Sequence, residues 1–287
     1  MKVSMSEKIF RICNYVILTA LAFVTLYPFW FVVMGSLSDP IKLLTTDNML
    51  FWPVGFTWNA YKSVLNDAAV YIGYANTIFY VVVGSTLNIL ATAMAAYVLS
   101  RKGLMLKGFF TLMFIFTMYF SGGLIPRYLL MMDLNLLDSR LALILPGLVS
   151  TYNLLIMITG FRGVPDSLEE SARIDGASHL RILFNIILPL AKPTVMVILM
   201  YYAVGHWNAW FDAMIYIRDS SKMPLQLYLR KILLLSQTAE LQGIDVEDIG
   251  TTIKYATIIV STLPILLIYP FIQKHFVSGV MIGAVKE

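Results

Sequence analysis

Six stretches of this chain contain no Asp, Glu, Lys or Arg: Ile12–Ser38, Ala68–Ser100, Gly108–Pro126, Leu141–Phe161, Pro193–Phe211 and Tyr255–Gln273. Each is 19 residues or longer. A hydrocarbon core of about 30 Å is crossed by about 20 apolar residues at about 1.5 Å per residue. In lipid the backbone must close its own hydrogen bonds, which leaves helices and closed barrels. These stretches predict an all-α membrane protein with six transmembrane helices. The spans are expected over about 12–36, 71–100, 108–126, 141–161, 193–212 and 255–273, in a single membrane domain covering 1–287. The first is no cleaved signal. Its apolar run exceeds a secretory h-region of about 7–15 residues, and Pro28, Trp30 and Phe31 stand where a small-residue cleavage site belongs.

Composition agrees. Hydrophobic residues make up 59% and charged residues 13%, against about 45–50% and about 25% in soluble domains. A net charge of +4, scattered along the chain, gives no footprint for nucleic acid. The lone Cys13 forms no internal disulfide, and cysteines build no zinc site here. Lys and Arg favour one side of the alternating connections by 12 to 9, and the poorer side has the longer loops. The positive-inside rule then puts both termini in the cytoplasm.

The connection after the fourth span holds the most ordered group of charges. Val164 to His179 reads Val-Pro-Asp-Ser-Leu-Glu-Glu-Ser-Ala-Arg-Ile-Asp-Gly-Ala-Ser-His. Ser167 with Glu170, or Asp166 with Glu169, has capping-box spacing. Glu169 and Glu170 sit in the first turn, where the helix dipole favours negative charge. Gly176 is placed to end the helix, and Ser178 to cap a second one that runs to Pro189. Leu168, Ala172 and Asp175 share a face by spacing. Such a knob suits a groove on another protein. The alternative is a capped interfacial helix with no partner.

Glu170-Ser171-Ala172, then Gly176, then Ile186-Ile187-Leu188-Pro189 resembles the Glu-Ala-Ala–Gly–Ile-x-Leu-Pro signature of ABC-importer permeases, with Ser171 for the first Ala as the departure. Phe120–Pro126, Ala203–Asp212 and Gly279–Lys286 are similar to the carbohydrate-uptake branch, whose architecture is that of the maltose importer. The resemblance implies a type I importer permease fold in a bacterial cytoplasmic membrane. It makes Leu168, Glu169, Glu170, Ala172, Asp175 and Gly176 the coupling segment for the ATPase. It further implies a second homologous permease, two ATP-binding cassette subunits, an extracytoplasmic solute-binding protein and an oligosaccharide substrate. No cofactor is expected on this chain, because ATP and Mg belong to the ATPase subunits.

His206, Trp207, Asn208, Trp210 and Asp212 fall in the outer third of the fifth span and are candidates for the substrate path. Aromatic faces stack on sugar rings, and Asn208 and Asp212, four apart, would share a helix face. Interfacial aromatic residues are the structural alternative. Asn88 is a further candidate, shared with Thr92 on one face of the second span. For that pair, interhelical hydrogen bonding is the competing role. The segment 212–254 exceeds the about 12–15 residues of an ordinary loop, and the resemblance makes it a contact for the binding protein.

The resulting reading is a permease subunit of an ATP-driven oligosaccharide importer, working by alternating access. A permease of the same class for a non-sugar solute is one alternative. An ion-coupled secondary transporter is another, but it predicts ionisable residues inside the spans, and only His206 is present there. The chain has no Gly-x4-Gly-Lys-Ser/Thr phosphate loop, and no nucleophile–base set or metal-ligand pair, so no enzyme is expected.

Overall fold

The computed structural model describes residues 5–46, 49–241 and 250–284. The main elements are α1 (Met5–Ser36), α2 (Ala68–Ser100), α3 (Lys107–Tyr119), α4 (Leu124–Asp133), α5 (Thr151–Arg162), α6 (Asp166–Ile174), α7 (His179–Leu190), α8 (Lys192–Trp207), α9 (Phe211–Tyr216), α10 (Leu225–Leu241) and α11 (Gly250–Ala284). No strand occurs among the described residues. Three helices are long and apolar enough to cross a membrane, or up to six if each bent pair is one span. The all-α expectation therefore holds, but three of the six spans are broken.

The breaks have local causes. Gly122, and Gly123 at φ +85, part α3 from α4, which turn by 114°. Pro146 and Gly147 hold Arg140–Gly147 in 3-10 turns, bent 53° from α5. Leu141–Phe161 is thus no continuous helix. Pro193 stands in the first turn of α8, which turns 90° from α7. Helix α8 ends at Trp207 with Asn208 as its C-cap. The fifth charge-free stretch is therefore divided, and Asn208 and Asp212 lie on either side of the break. They do not share a helix face as expected. Gly279–Ala284 continues α11; 285–287 lie outside the described residues.

The chain divides into two compact units, Met1–Ala68 with Leu229–Pro264, and Ala69–Tyr228 with Ile265–Glu287. In the first, α1 exposes most of its apolar surface, as a helix facing lipid does. Its C-terminal end is held by Ser36 Oγ to Tyr61 Oη (2.8 Å) and by Trp30 Nε1 donating to the Phe51 carbonyl (3.0 Å). Gly35 admits the Tyr255 ring so closely that a Cβ would meet it at 2.8 Å.

The second unit holds the main core. Ala93, Ala96, Tyr97 and Leu99 of α2 pack with Leu154, Met157, Ile158 and Phe161 of α5, Ile182, Leu183 and Ile187 of α7, and Ile198 and Tyr202 of α8. Midway along α2, Tyr80–Gly84 widens into a π-bulge. Such bulges mark places where a neighbour intrudes. Here the neighbour is His206: a Cβ on Gly84 would lie 2.5 Å from its Nε2. We expect Gly84→Ala to destabilise the chain by about 1–3 kcal/mol through overpacking, read as a lower unfolding temperature in detergent.

Candidate functional site

Helices α6 and α7 meet at an elbow. The chain turns because Gly176 adopts φ +77. Its amide donates to the Arg173 carbonyl (3.0 Å), and Ala177 N to the Ala172 carbonyl (2.9 Å). That pair of bonds is a Schellman motif, which glycine at the left-handed position permits. Ser178 then caps α7 by accepting from Arg181 N. The start of α6 differs from the expectation. Pro165 is the N-cap and makes no side-chain cap bond. Neither capping box forms: the helix starts one residue early, so that Asp166 and Ser167 lie inside it, and Asp166 and Glu169 are taken up by cationic partners.

Asp166 pairs with Lys102 (2.7 Å) and more distantly with Arg101 (3.7 Å). The Lys102 ammonium holds the Asp166 carboxyl below the usual carboxylate range, and Asp166 in turn raises the ammonium. Glu169 points inward and is 5% exposed. Its Oε1 accepts from Tyr97 Oη (3.0 Å) and Arg173 Nη2 (2.6 Å), and its Oε2 from Arg101 Nη1 (3.0 Å). Arg101 also donates Nη2 to the Phe161 carbonyl at the end of α5 (2.8 Å) and Nε to Ser100 Oγ (3.1 Å). Only a planar fork reaches three acceptors in this way. Ala172 packs against the core. The outward surface of α6 is left to Leu168, Glu170, Ser171, Ile174 and Asp175, with Ile174 87% exposed. Glu169 and Ala172 thus belong to the inner face of this helix, apart from the outward residues expected with them.

A second polar array links α2 to α8. Asn88 Oδ1 lies 2.7 Å from His206 Nε2, and Thr92 Oγ1 lies 2.7 Å from Tyr202 Oη. Each helix contributes residues four apart, so the pairs form two rungs one turn apart. Each rung also receives the backbone freed at the break before α5. Asn88 Nδ2 donates to the carbonyls of Gly147 (2.8 Å) and Leu148 (2.9 Å), and Ser150 N donates to Tyr202 Oη (2.9 Å). Asn88 is fully buried and its amide is used on both sides. Geometry gives Asn88 and His206 the interhelical role rather than an open place in a path.

The other path candidates divide. Trp207 is 8% exposed, its ring edge-on to Tyr74 at 6.4 Å, and its indole N–H has no acceptor among the described residues. Asp212 pairs with Arg127 of α4 at 2.9 Å. Trp210 is half-buried against Phe211. Of the path candidates, Asn208 alone is exposed, on the same side as Tyr201 and Gly205 of α8. Tyr201 meets Tyr152 of α5, ring centroids 6.2 Å apart, and beside it Thr151 Oγ1 lies 3.4 Å from Thr117 Oγ1 of α3. Tyr152 is 54% exposed. Composition could not single out these hydroxyls, because Thr and Tyr are common in every span.

At the other end of α2, Asn76 Nδ2 donates to the Ser221 carbonyl (2.7 Å), and Arg140 donates to Asn76 Oδ1 (2.9 Å). Asp138 accepts from Arg218 N (3.1 Å) and Asp219 N (3.0 Å). Those amides, that of Asp219 foremost, with Lys222 nearby, hold its carboxyl below the usual range. The segment 212–254 is thus partly built, with 242–249 outside the described residues. No group of three or more His, Cys, Asp or Glu able to hold a metal occurs among the described residues.

Residues 79–282 match the family described as "binding-protein-dependent transport system inner membrane component". The chain is 37% identical to the polygalacturonan/rhamnogalacturonan transport system permease YtcP of Bacillus subtilis over 98% of its length and 100% of that protein. It is 39% identical to protein LplC of the same organism, over 97% of this chain and 95% of that one. Among solved structures it resembles a chain of a bacterial ABC transporter involved in the import of the acidic polysaccharide alginate. There the TM-score is 0.86 and the identity 34%, covering 96% of this chain and 99% of that one. The chain belongs to the inner membrane components of binding-protein-dependent transport systems: it is a multi-pass ABC-importer permease of the cytoplasmic membrane, works with a partner ATPase and a substrate-binding protein, and is not an enzyme.

Proposed function

We propose that this permease imports an oligosaccharide cut from a polysaccharide, as one half of a heterodimer with a second homologous permease. The observation that carries the reading is full-length likeness to permeases named for saccharide transport. Two of these relatives are named for polyuronates, so uronate-bearing chains are the first class to test. Both termini and the α6–α7 elbow face the cytoplasm. Leu168, Glu170, Ile174 and Asp175 dock in a cleft of an ATPase subunit, with Gly176 setting the elbow. ATP and Mg bind to the two ATPase subunits and not to this chain. ATP-driven closure of that pair moves the elbows, the spans rock, and the path opens to receive sugar from the binding protein.

The open face of Thr117, Thr151, Tyr152, Tyr201 and Asn208 serves as this subunit's wall of the path. Polar groups within spans face bundle interiors or water-filled cavities rather than lipid, and tyrosine faces stack on sugar rings while hydroxyls bond to theirs. Uptake of oligogalacturonides and of neutral oligosaccharides by the reconstituted complex tests this. Tyr201→Ala is expected to raise KM for the transported sugar several-fold with little change in protein level. An unchanged KM removes the face from the path. Failure to import any saccharide removes the substrate class.

A further inference from the structure

We propose that Glu169 is a positioning residue whose buried carboxylate clasps the elbow to α2, so that a push on α6 moves α2 and the end of α5 with it. The proposal rests on the docking role given to the outward face of α6. Its own observation is the inward face.

Four groups converge on or beside this carboxylate, and they come from different elements. Tyr97 and Arg101 belong to α2 and the residue after it, and Arg173 stands one turn along α6. His179, the first residue of α7, places Nδ1 3.2 Å from Tyr97 Oη. Arg101 closes the set by holding Glu169 and the Phe161 carbonyl of α5 with one guanidinium. Glu169 is 6% exposed and Arg101 11% at the side chain, whereas Arg173 is 51% exposed. Glu169 and Arg101 therefore form the dry centre, and Arg173 with the Lys102–Asp166 pair forms the wet rim.

A carboxylate with two cations and a phenol cannot slide as an apolar contact can. Each oxygen has directed partners, and leaving any of them costs a buried charge its compensation. Apolar packing of Ala172 alone would let α6 roll on the core. The clasp removes that freedom at the point where docking force arrives. Farther back along α2 lie the two polar rungs to α8 and the π-bulge against His206, so motion delivered at Arg101 reaches α8 through bonded contacts.

Glu169→Gln tests the clasp, because it keeps the side chain's shape and removes its charge. The assembled complex, with ATPase and binding protein, is measured for sugar imported per ATP hydrolysed. The expected result is a fall in that ratio of at least about tenfold while ATP hydrolysis persists, with Arg101→Lys falling less. A role in folding alone would lower uptake and hydrolysis together and leave the ratio unchanged, and that result overturns the proposal. Hydrogen exchange over 166–174 supplies a second measure: faster exchange in Glu169→Gln is expected, and unchanged exchange also overturns it. If the unaltered complex shows no saccharide-stimulated hydrolysis, the functional reading has failed instead, so the two failures are distinguishable.

Discussion

Replacing Gly176 with proline is expected to abolish uptake while leaving the chain inserted in the membrane. Glycine at this position has φ +77, and proline is locked near −65°. Proline also lacks the N–H that donates to the Arg173 carbonyl. The change thus removes the left-handed turn and one bond of the Schellman motif, at a cost of about 3 kcal/mol or more. The cost is local, because the site is exposed and a Cβ there would meet nothing within 4 Å. The spans keep their packing, but α6 no longer leaves α7 at the angle that presents Leu168, Glu170 and Ile174 together. Gly176→Ala is the graded control. It keeps the N–H and bears left-handed strain of about 1–2 kcal/mol, so partial uptake is expected. Immunoblotting of membranes beside uptake assays decides the matter, and normal transport by the proline variant would sink the elbow's role.

Asn88→Ala is expected to destabilise the protein by about 2 kcal/mol without altering which sugar it prefers. Interhelical hydrogen bonds in membranes average about 0.6 kcal/mol each. This amide makes three, and its loss leaves the carbonyls of Gly147 and Leu148 and one edge of His206 without it inside a packed bundle. Thermal unfolding in detergent measures the stability, and KM for uptake measures the role in the path. A stable variant with an altered KM would return Asn88 to the path. The same reasoning explains why the fourth charge-free stretch bends. Pro146 and Gly147 interrupt a helix, and irregular backbone at membrane depth persists only where other groups satisfy it. Asn88 and Tyr202 supply that satisfaction.

Much of the molecule was legible in order of residues. Charge-free stretches marked the apolar elements, and the run from Pro165 to Pro189 marked an elbow with Gly176 at its turn. The breaks were legible only in part. Gly122-Gly123 stands at one, but Asn208 looked continuous with Asp212 because no proline or glycine separates them. The two faces of the elbow were not separable in the sequence. Glu169 and Glu170 are neighbours of the same type, and the resemblance placed both in the coupling set without separating them. Burial separates them: Glu169 faces Tyr97 and Arg101, and Glu170 faces out.

What the sequence by itself determined is what depends on neighbours along the chain: the lengths of the apolar stretches, the Ser178 cap, the glycine turn that ends α6 and the spacing that marks the family. The tertiary structure alone decided which polar side chains are consumed inside the bundle. Asn88 meets carbonyls 59 and 60 residues away and an imidazole 118 away, and Glu169 meets a phenol 72 residues away. An amide or carboxylate carries the same chemistry whether free or bonded. Only the packing of distant helices says whether its hydrogen bonds are left for a ligand or already made.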